Sequence, residues 1–162
     1  MGSSKYFVRK TLPHQAPAWV GDGEIFFITI CAKNRETQPL TQKGVPEQLL
    51  EAAIQYHETG RWWTRLFLIM PDHVHALVAV PGNEVMRKVV AQWKTITAKI
   101  TGVEWQKDFF DHRPRDLRAL EEKEIYIFEN PVRKGLVKTP EEWKWVVKAS
   151  RHQENAGEQP IG

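Results

Sequence analysis

The chain has 162 residues, 41% of them hydrophobic and 27% charged, a balance that fits one globular domain rather than a disordered protein. No apolar run approaches the roughly 20 residues needed to cross a bilayer, and the opening MGSSKYFVRK lacks the hydrophobic stretch of a secretory signal, so the expected location is the cytoplasm. The single cysteine, Cys31, excludes an intrachain disulfide and a cysteine zinc knuckle, while the net charge of +3 permits a nucleic-acid partner without demonstrating one.

Residues 1–22, punctuated by proline and glycine and without a sustained period, read as an N-terminal arm. Glu24 to Cys31 (EIFFITIC) is bulky and β-branched and predicts a strand, with Cys31 as a small core residue. From Pro46 the period changes: Leu49, Leu50, Ala53, Ile54 and His57 recur at three and four, which predicts an amphipathic helix stopped by Gly60. Arg61 to Met70 and His73 to Val80 are apolar runs joined by Pro71 and Asp72, a turn-forming pair, and read as an antiparallel hairpin. Asn83 is placed to cap a second helix whose stripe is Met86, Val89, Val90, Trp93, Ile96 and Ile100, ending at Gly102. VEWQKDFF reads as a short extended piece. Asp116 is placed to cap a third helix that runs to Asn130 and stops at Pro131, and Thr139 with Pro140 opens a last short helix.

The order strand, helix, strand, strand, helix, strand, helix predicts an α+β fold, a ferredoxin-like antiparallel sheet with helices packed on one face. One domain is expected over 23–150, followed by a flexible tail over 151–162, where HQENAGEQPIG is polar and rich in breakers.

The hairpin raises a question of chemistry, because MPDHVHALVAV puts two imidazoles into a run that otherwise reads as a buried strand. Alternate residues of a strand share a face, so His73 and His75 stand together, their backbones about 7 Å apart, with Val74 on the other side. Such a pair can converge on one divalent ion, or it can be two strand histidines with no ligand role. Spacing alone leaves both open.

Four stretches in order carry a resemblance. FFITICAKNR, MPDHVHALV, WQKDFFDHRPRD and YIFENPVRKGLV together resemble the REP-associated tyrosine transposases and the IS200-like single-tyrosine transposases, whose histidine, hydrophobic, histidine signature names the HUH endonuclease-type fold. The resemblance spans residues 24 to about 147. It implies cleavage and strand transfer on single-stranded DNA bearing a hairpin or repeat element, on the nucleoid, with Tyr126 as nucleophile, a 5′-phosphotyrosine link and a free 3′-hydroxyl. A phenol attacks phosphorus poorly at neutral pH unless a base or cation helps it shed its proton, and a divalent ion on His73 and His75 would polarise the phosphate.

Asn130 lies four residues after Tyr126, on the same face of a continuous helix, and the family places a polar ligand at this offset. Its amide oxygen suits Mg²⁺ or Mn²⁺, so it is the expected third ligand; the other reading is a helix-ending asparagine. Lys94, Arg113, Arg115, Arg118, Arg133 and Lys134 are expected to neutralise phosphates, and exposed members of the set Trp62, Trp63, Trp105, Trp143 and Trp145 to stack on bases. Asp111 and His112 resemble a supporting pair that orients a catalytic group or braces a loop. A monomer is expected over a homodimer, from the residues that follow Leu136. Two rival readings stay open: a DNA-binding module that lost turnover, and a metallohydrolase with a water nucleophile.

Overall fold

The computed structural model describes residues 10–12, 20, 24–82 and 84–149. In chain order they form β1 (Lys10–Leu12), β2 (Phe26–Cys31), α1 (Val45–Glu58), β3 (Trp63–Ile69), β4 (His73–Ala79), α2 (Met86–Thr101), β5 (Phe110–His112), α3 (Leu117–Phe128), α4 (Asn130–Arg133) and β6 (Val146–Ala149). One six-stranded sheet runs β1-β6-β3-β4-β2-β5. Its four strands β3-β4-β2-β5, with α1 and α2 as the crossovers, give the ferredoxin-like antiparallel arrangement. Beyond it β6 pairs antiparallel with β3, and β1 pairs parallel with β6. The edge strand β1 lies within the stretch read as an arm, and the tail 151–162 falls outside the described residues.

Local signals act as expected at most element ends. Pro46 sits in the first turn of α1. Gly102, at φ 80°, takes the left-handed conformation that closes α2, and the Asp116 carboxylate accepts from the Ala119 amide at 2.8 Å to cap α3. Thr139 and Glu142 form a capping box on a 3₁₀ turn, Pro140–Glu142, where a short helix was expected. The Asn83 cap lies outside the described residues, and Val85 at the start of α2 makes no side-chain cap.

Helices cover both faces of the sheet, a correction to the one-face expectation. On one side Ile28, Ile30, Phe67, Ile69, Val74, Ala76 and Val78 pack with Leu50, Ile54, Val89, Val90 and Trp93 of α1 and α2. On the other Leu66, Leu68, Leu77, Ala79 and Val146 pack with Leu120 and Ile127 of α3. The reason is strand alternation: β3, β4 and β2 are apolar at both odd and even positions, so each face needs a cover. Arg65 of β3 reaches under α3 and holds the Glu124 carboxylate at 3.1 Å, an ion pair with both side chains largely buried.

The tryptophans belong to this packing. Trp62, Trp63 and Trp93 are buried and Trp105, Trp143 and Trp145 half-buried against the core, so the stacking role expected of exposed tryptophans has no candidate among the described ones. Trp62, Phe67 and Trp93 lie against one another, their ring centroids 5.5 to 6.1 Å apart, which is the range of favourable aromatic pairs. Among the described residues no helix is long and apolar enough to cross a membrane.

Candidate active site

His73 and His75 share the α3 side of β4 with Leu77 and Ala79, while Val74, Ala76 and Val78 face α1 and α2. Pro71 and Asp72 make the tight turn that starts β4, and the Met70 amide donates to the His73 carbonyl at 2.8 Å. The imidazoles therefore stand at the end of a strand pinned on both sides by β3 and β2. Their Nε2 atoms are 3.2 Å apart.

Each outer nitrogen has a fixed partner. The Asp72 carboxylate lies 2.7 Å from His73 Nδ1 and also accepts from Arg35 Nε at 2.9 Å. Burial raises the pKa of Asp72, but the hydrogen bonds from His73 and Arg35 outweigh it and hold the carboxyl below its ordinary value. An ionised carboxylate only accepts, so His73 Nδ1 carries the proton and Nε2 keeps its lone pair. His75 Nδ1 pairs with the Thr29 hydroxyl at 3.0 Å, across the strand boundary. Burial lowers the pKa of both imidazoles: His73 despite Asp72, and His75 to about 3 with help from His73, Arg133, Lys123 and Arg35. Both rings are neutral at neutral pH, the form that binds metals.

This donor set fits one divalent ion. The two Nε2 atoms lie within hydrogen-bond distance of each other, close enough that one cation would be held by both rings. Among the described residues no three His, Cys, Asp or Glu side chains are placed to hold a metal together, so further donors must be of another kind. Cys31 lies opposite His73 across the β2–β4 boundary, a buried thiol whose pKa burial raises; it is beside the site rather than in the main core clusters.

α3 brings Tyr126 to this face. The ring is 50% exposed, held between the Lys123 ammonium at 5.1 Å and the Arg133 guanidinium at 4.0 Å from its centroid. Lys123 also lies 4.9 Å from the Phe27 ring, which in turn is 5.2 Å from the His75 ring. Arg133 further donates to the Tyr126 carbonyl at 2.7 Å. Tyr126 lines a groove of about 400 Å³ together with His112, Arg113, Arg115 and Lys123. A larger hollow of about 620 Å³ on the far side of α3 is lined by Glu121, Glu124, Glu129 and Glu141; its charge repels phosphate, and neither imidazole nor Tyr126 lines it.

Other expected residues fall in different places. α3 ends at Phe128 and Asn130 opens α4, with Glu129 between them still in right-handed helical conformation, so Tyr126 and Asn130 lie in adjoining helical segments. Pro131 has no amide to continue the ladder, and it is accommodated in the first turn of a new helix instead of ending the chain's helical path. Asn130 is 4% exposed, its amide oxygen 3.4 Å from Arg133 Nη2. Arg133 and Lys134 bear electrostatically on the imidazoles, and Arg113 and Arg115 line the tyrosine groove. Lys94 instead lies on α2, across the sheet, where its ammonium donates to the Lys107 carbonyl at 2.9 Å. Arg118 is exposed and pairs with Glu122 at 3.4 Å. Asp111 and His112 are neighbours on β5 and point to opposite faces, so they do not act as a side-by-side pair. Arg35 and Lys123 were missed; Lys123 lies one turn before Tyr126, a spacing that could have flagged it.

The paired imidazoles and the half-exposed tyrosine lie on the same side of a ferredoxin-like sheet, linked through Lys123 and Phe27; His73 lines a hollow with Arg35, Asp72 and Lys134, and Tyr126 a separate one. Residues 25–112 match the family described as transposase, IS200 like, and the chain belongs to that family. It is similar to the REP-associated tyrosine transposase of Escherichia coli K12, 26% identical over 126 residues that cover 75% of this chain and 74% of that one. A Haemophilus influenzae protein described as a candidate member of the same group is 27% identical over 164 residues, covering 85% and 90%. Among solved structures, a REP-associated tyrosine transposase bound to a REP hairpin superposes with a TM-score of 0.67 at 24% identity, over 91% of this chain and 89% of that one. The protein is a transposase-family enzyme that acts on DNA.

Proposed function

We propose that the protein cuts and rejoins single-stranded DNA beside a hairpin or repeat element, with Tyr126 as nucleophile and His73 and His75 as ligands of Mg²⁺ or Mn²⁺. The observation that carries this reading is the 3.2 Å convergence of two neutral Nε2 atoms on the sheet face that α3 and its tyrosine cover. Asn130 is the proposed third ligand, since its buried oxygen sits on the short helix whose next basic residues bear on the imidazoles. The hairpin partner is supported by the hairpin bound to the solved relative.

The chain's own residues divide the work. Asp72 and Thr29 aim the imidazoles by holding their outer nitrogens. The ion they would hold supplies positive charge to the phosphate oxygens. Lys123, Arg133, Lys134 and Arg35 add fixed positive charge around the same place, which favours the pentavalent transition state over water. Tyr126 oxygen bonds to phosphorus as the bond to the 3′ oxygen breaks; the phenolic proton is lost and the departing oxygen gains one. One phosphoester replaces another, so a second 3′-hydroxyl can reverse the exchange and reseal a strand without a nucleotide cofactor.

Incubation of a labelled stem-loop DNA with protein and Mn²⁺, followed by a denaturing gel, tests this directly. A covalent protein–DNA band should form and be absent from Tyr126→Phe. Cleavage that survives Tyr126→Phe would replace the reading with a water nucleophile, and binding without cleavage would replace it with a DNA-binding module. Metal titration of Asn130→Ala, with an unchanged fold, should show weakened binding.

A further inference from the structure

One exposed aromatic element beside the site has no part in that chemistry. All three residues of β5 are exposed, and Phe110, at 68%, is the most exposed large hydrophobic side chain among the described residues. Other apolar side chains are exposed as well, Val85, Ile100 and Ile125 among them, so what singles out Phe110 is its position on the strand beside the tyrosine groove.

Register decides where the ring points. Directly opposed residues of an antiparallel pair share a face, and Thr29 is opposite both His75 on β4 and Phe110 on β5. Phe110 therefore stands on the imidazole side, two strands from His75, a span of about 10 Å at about 4.8 Å per strand. His112, opposite Phe27, is on the same face two residues further on and lines the Tyr126 groove. Two residues of strand advance about 6.7 Å, which is twice the rise of about 3.4 Å between stacked bases. The strand positions of Phe110 and His112 are thus spaced so that rings standing off the strand would admit one flat base between them. Asp111 between them points to the opposite face and leaves the gap open.

We infer that Phe110 and His112 form a slot for a single unpaired nucleobase at the edge of the sheet, which fixes the strand whose phosphate lies in the Tyr126 groove. The inference rests on the proposed reading that this groove takes single-stranded DNA. Phenylalanine and histidine both serve as stacking partners for splayed bases, and every base has a flat face, so the slot selects unpaired over paired nucleotides more than one base over another. A base inside a duplex would first have to leave its own stack.

The probe is a stem-loop with a single-stranded 5′ extension that carries 2-aminopurine at one extension position at a time. Wild-type protein should quench one position strongly. Phe110→Ala should restore its fluorescence and weaken binding about five- to 150-fold, His112→Ala should act at the same position, and Phe110→Tyr should bring both signals back. Phe110→Leu, which keeps bulk on the strand without a ring, should behave as Phe110→Ala, with melting unchanged in both. Affinity for a blunt, fully paired stem should not change. The slot is overturned if no position is quenched, if quenching survives Phe110→Ala, or if the blunt stem loses affinity equally. The covalent adduct, read on the same samples, separates the two ideas: an adduct with no Phe110-dependent position removes the slot alone, and a Phe110-dependent position with no adduct removes the tyrosine chemistry alone.

Discussion

The two faces of β4 are built from alternate residues of one strand, yet they carry opposite kinds of side chain. Val74, Ala76 and Val78 are fully buried against α1 and α2, a face whose content is apolar area removed from water. On the other face Leu77 and Ala79 do the same under α3, but the first two positions are imidazoles whose every nitrogen has a polar neighbour. Rigidity on the first face is what allows precision on the second: because β4 is central in the sheet and sealed from behind, the Nε2 atoms are held at one separation without help from a bound ion. Mutations should therefore divide cleanly, with losses of stability on the α1/α2 side and losses of chemistry on the α3 side.

The sharpest break should come at the half-exposed tyrosine. Tyr126→Phe removes one oxygen from a ring that packs little, so we expect DNA cleavage to fall by roughly 10,000-fold or more with an unchanged melting curve, checked by single-turnover assays alongside calorimetry. On the opposite face Ile28→Ala should do the reverse. It should cost about 2–5 kcal/mol of stability, seen as a lower denaturant midpoint, while cleavage by the folded fraction persists. Between these lies Asp72→Asn, which removes the anion that fixes the His73 tautomer and should weaken Mn²⁺ binding about 10- to 100-fold, measured by titration calorimetry.

Acid should distinguish the faces as well. The folded pKa of His75 is about 3 against an ordinary 6.5, so below about pH 6.5 the unfolded chain takes up a proton that the folded one refuses, and stability falls progressively as pH drops toward about 3. The depressed pKa of Asp72 acts in the same direction at the lower end of that window. Denaturant midpoints should decline from neutral pH to about pH 4, and His75→Gln should flatten the decline. The smallest effect is expected at Lys94, whose ammonium serves the Lys107 carbonyl across the sheet; Lys94→Ala should leave the salt dependence of DNA binding nearly unchanged, whereas Arg133→Ala should reduce its slope by about one.

Much of this was legible before any coordinates. The HVH alternation put both histidines on one face, Pro71 and Asp72 gave the turn that aims them, and Gly60, Gly102 and Asp116 marked helix ends through local chemistry that depends on few other residues. What escaped depends on contacts distant in sequence. β6 is four residues long and lacks alternation or turn signals, and it exists because β3 offers it an edge; β1 exists because β6 does. The second covered face follows from apolar residues at both odd and even positions of the central strands, a pattern that alternation alone does not assign to two covers. At the site, the tyrosine and the imidazoles were named, but Arg35 and Lys123 were not, because a cation's approach to a ring or a carboxylate is set by tertiary packing. The four-residue spacing of Tyr126 and Asn130 does not reveal the break at Glu129 that sets Asn130 at the start of a second, short helix.

The central claim is that His73 and His75 make a single cation seat with their Nε2 atoms. Electron paramagnetic resonance of the protein with one equivalent of Mn²⁺ reads this without any DNA. Nitrogen couplings from two imidazoles that vanish together in the His73→Ala, His75→Ala double variant are the expected result, and Mn²⁺ bound without nitrogen coupling, or bound equally well by the double variant, would contradict it.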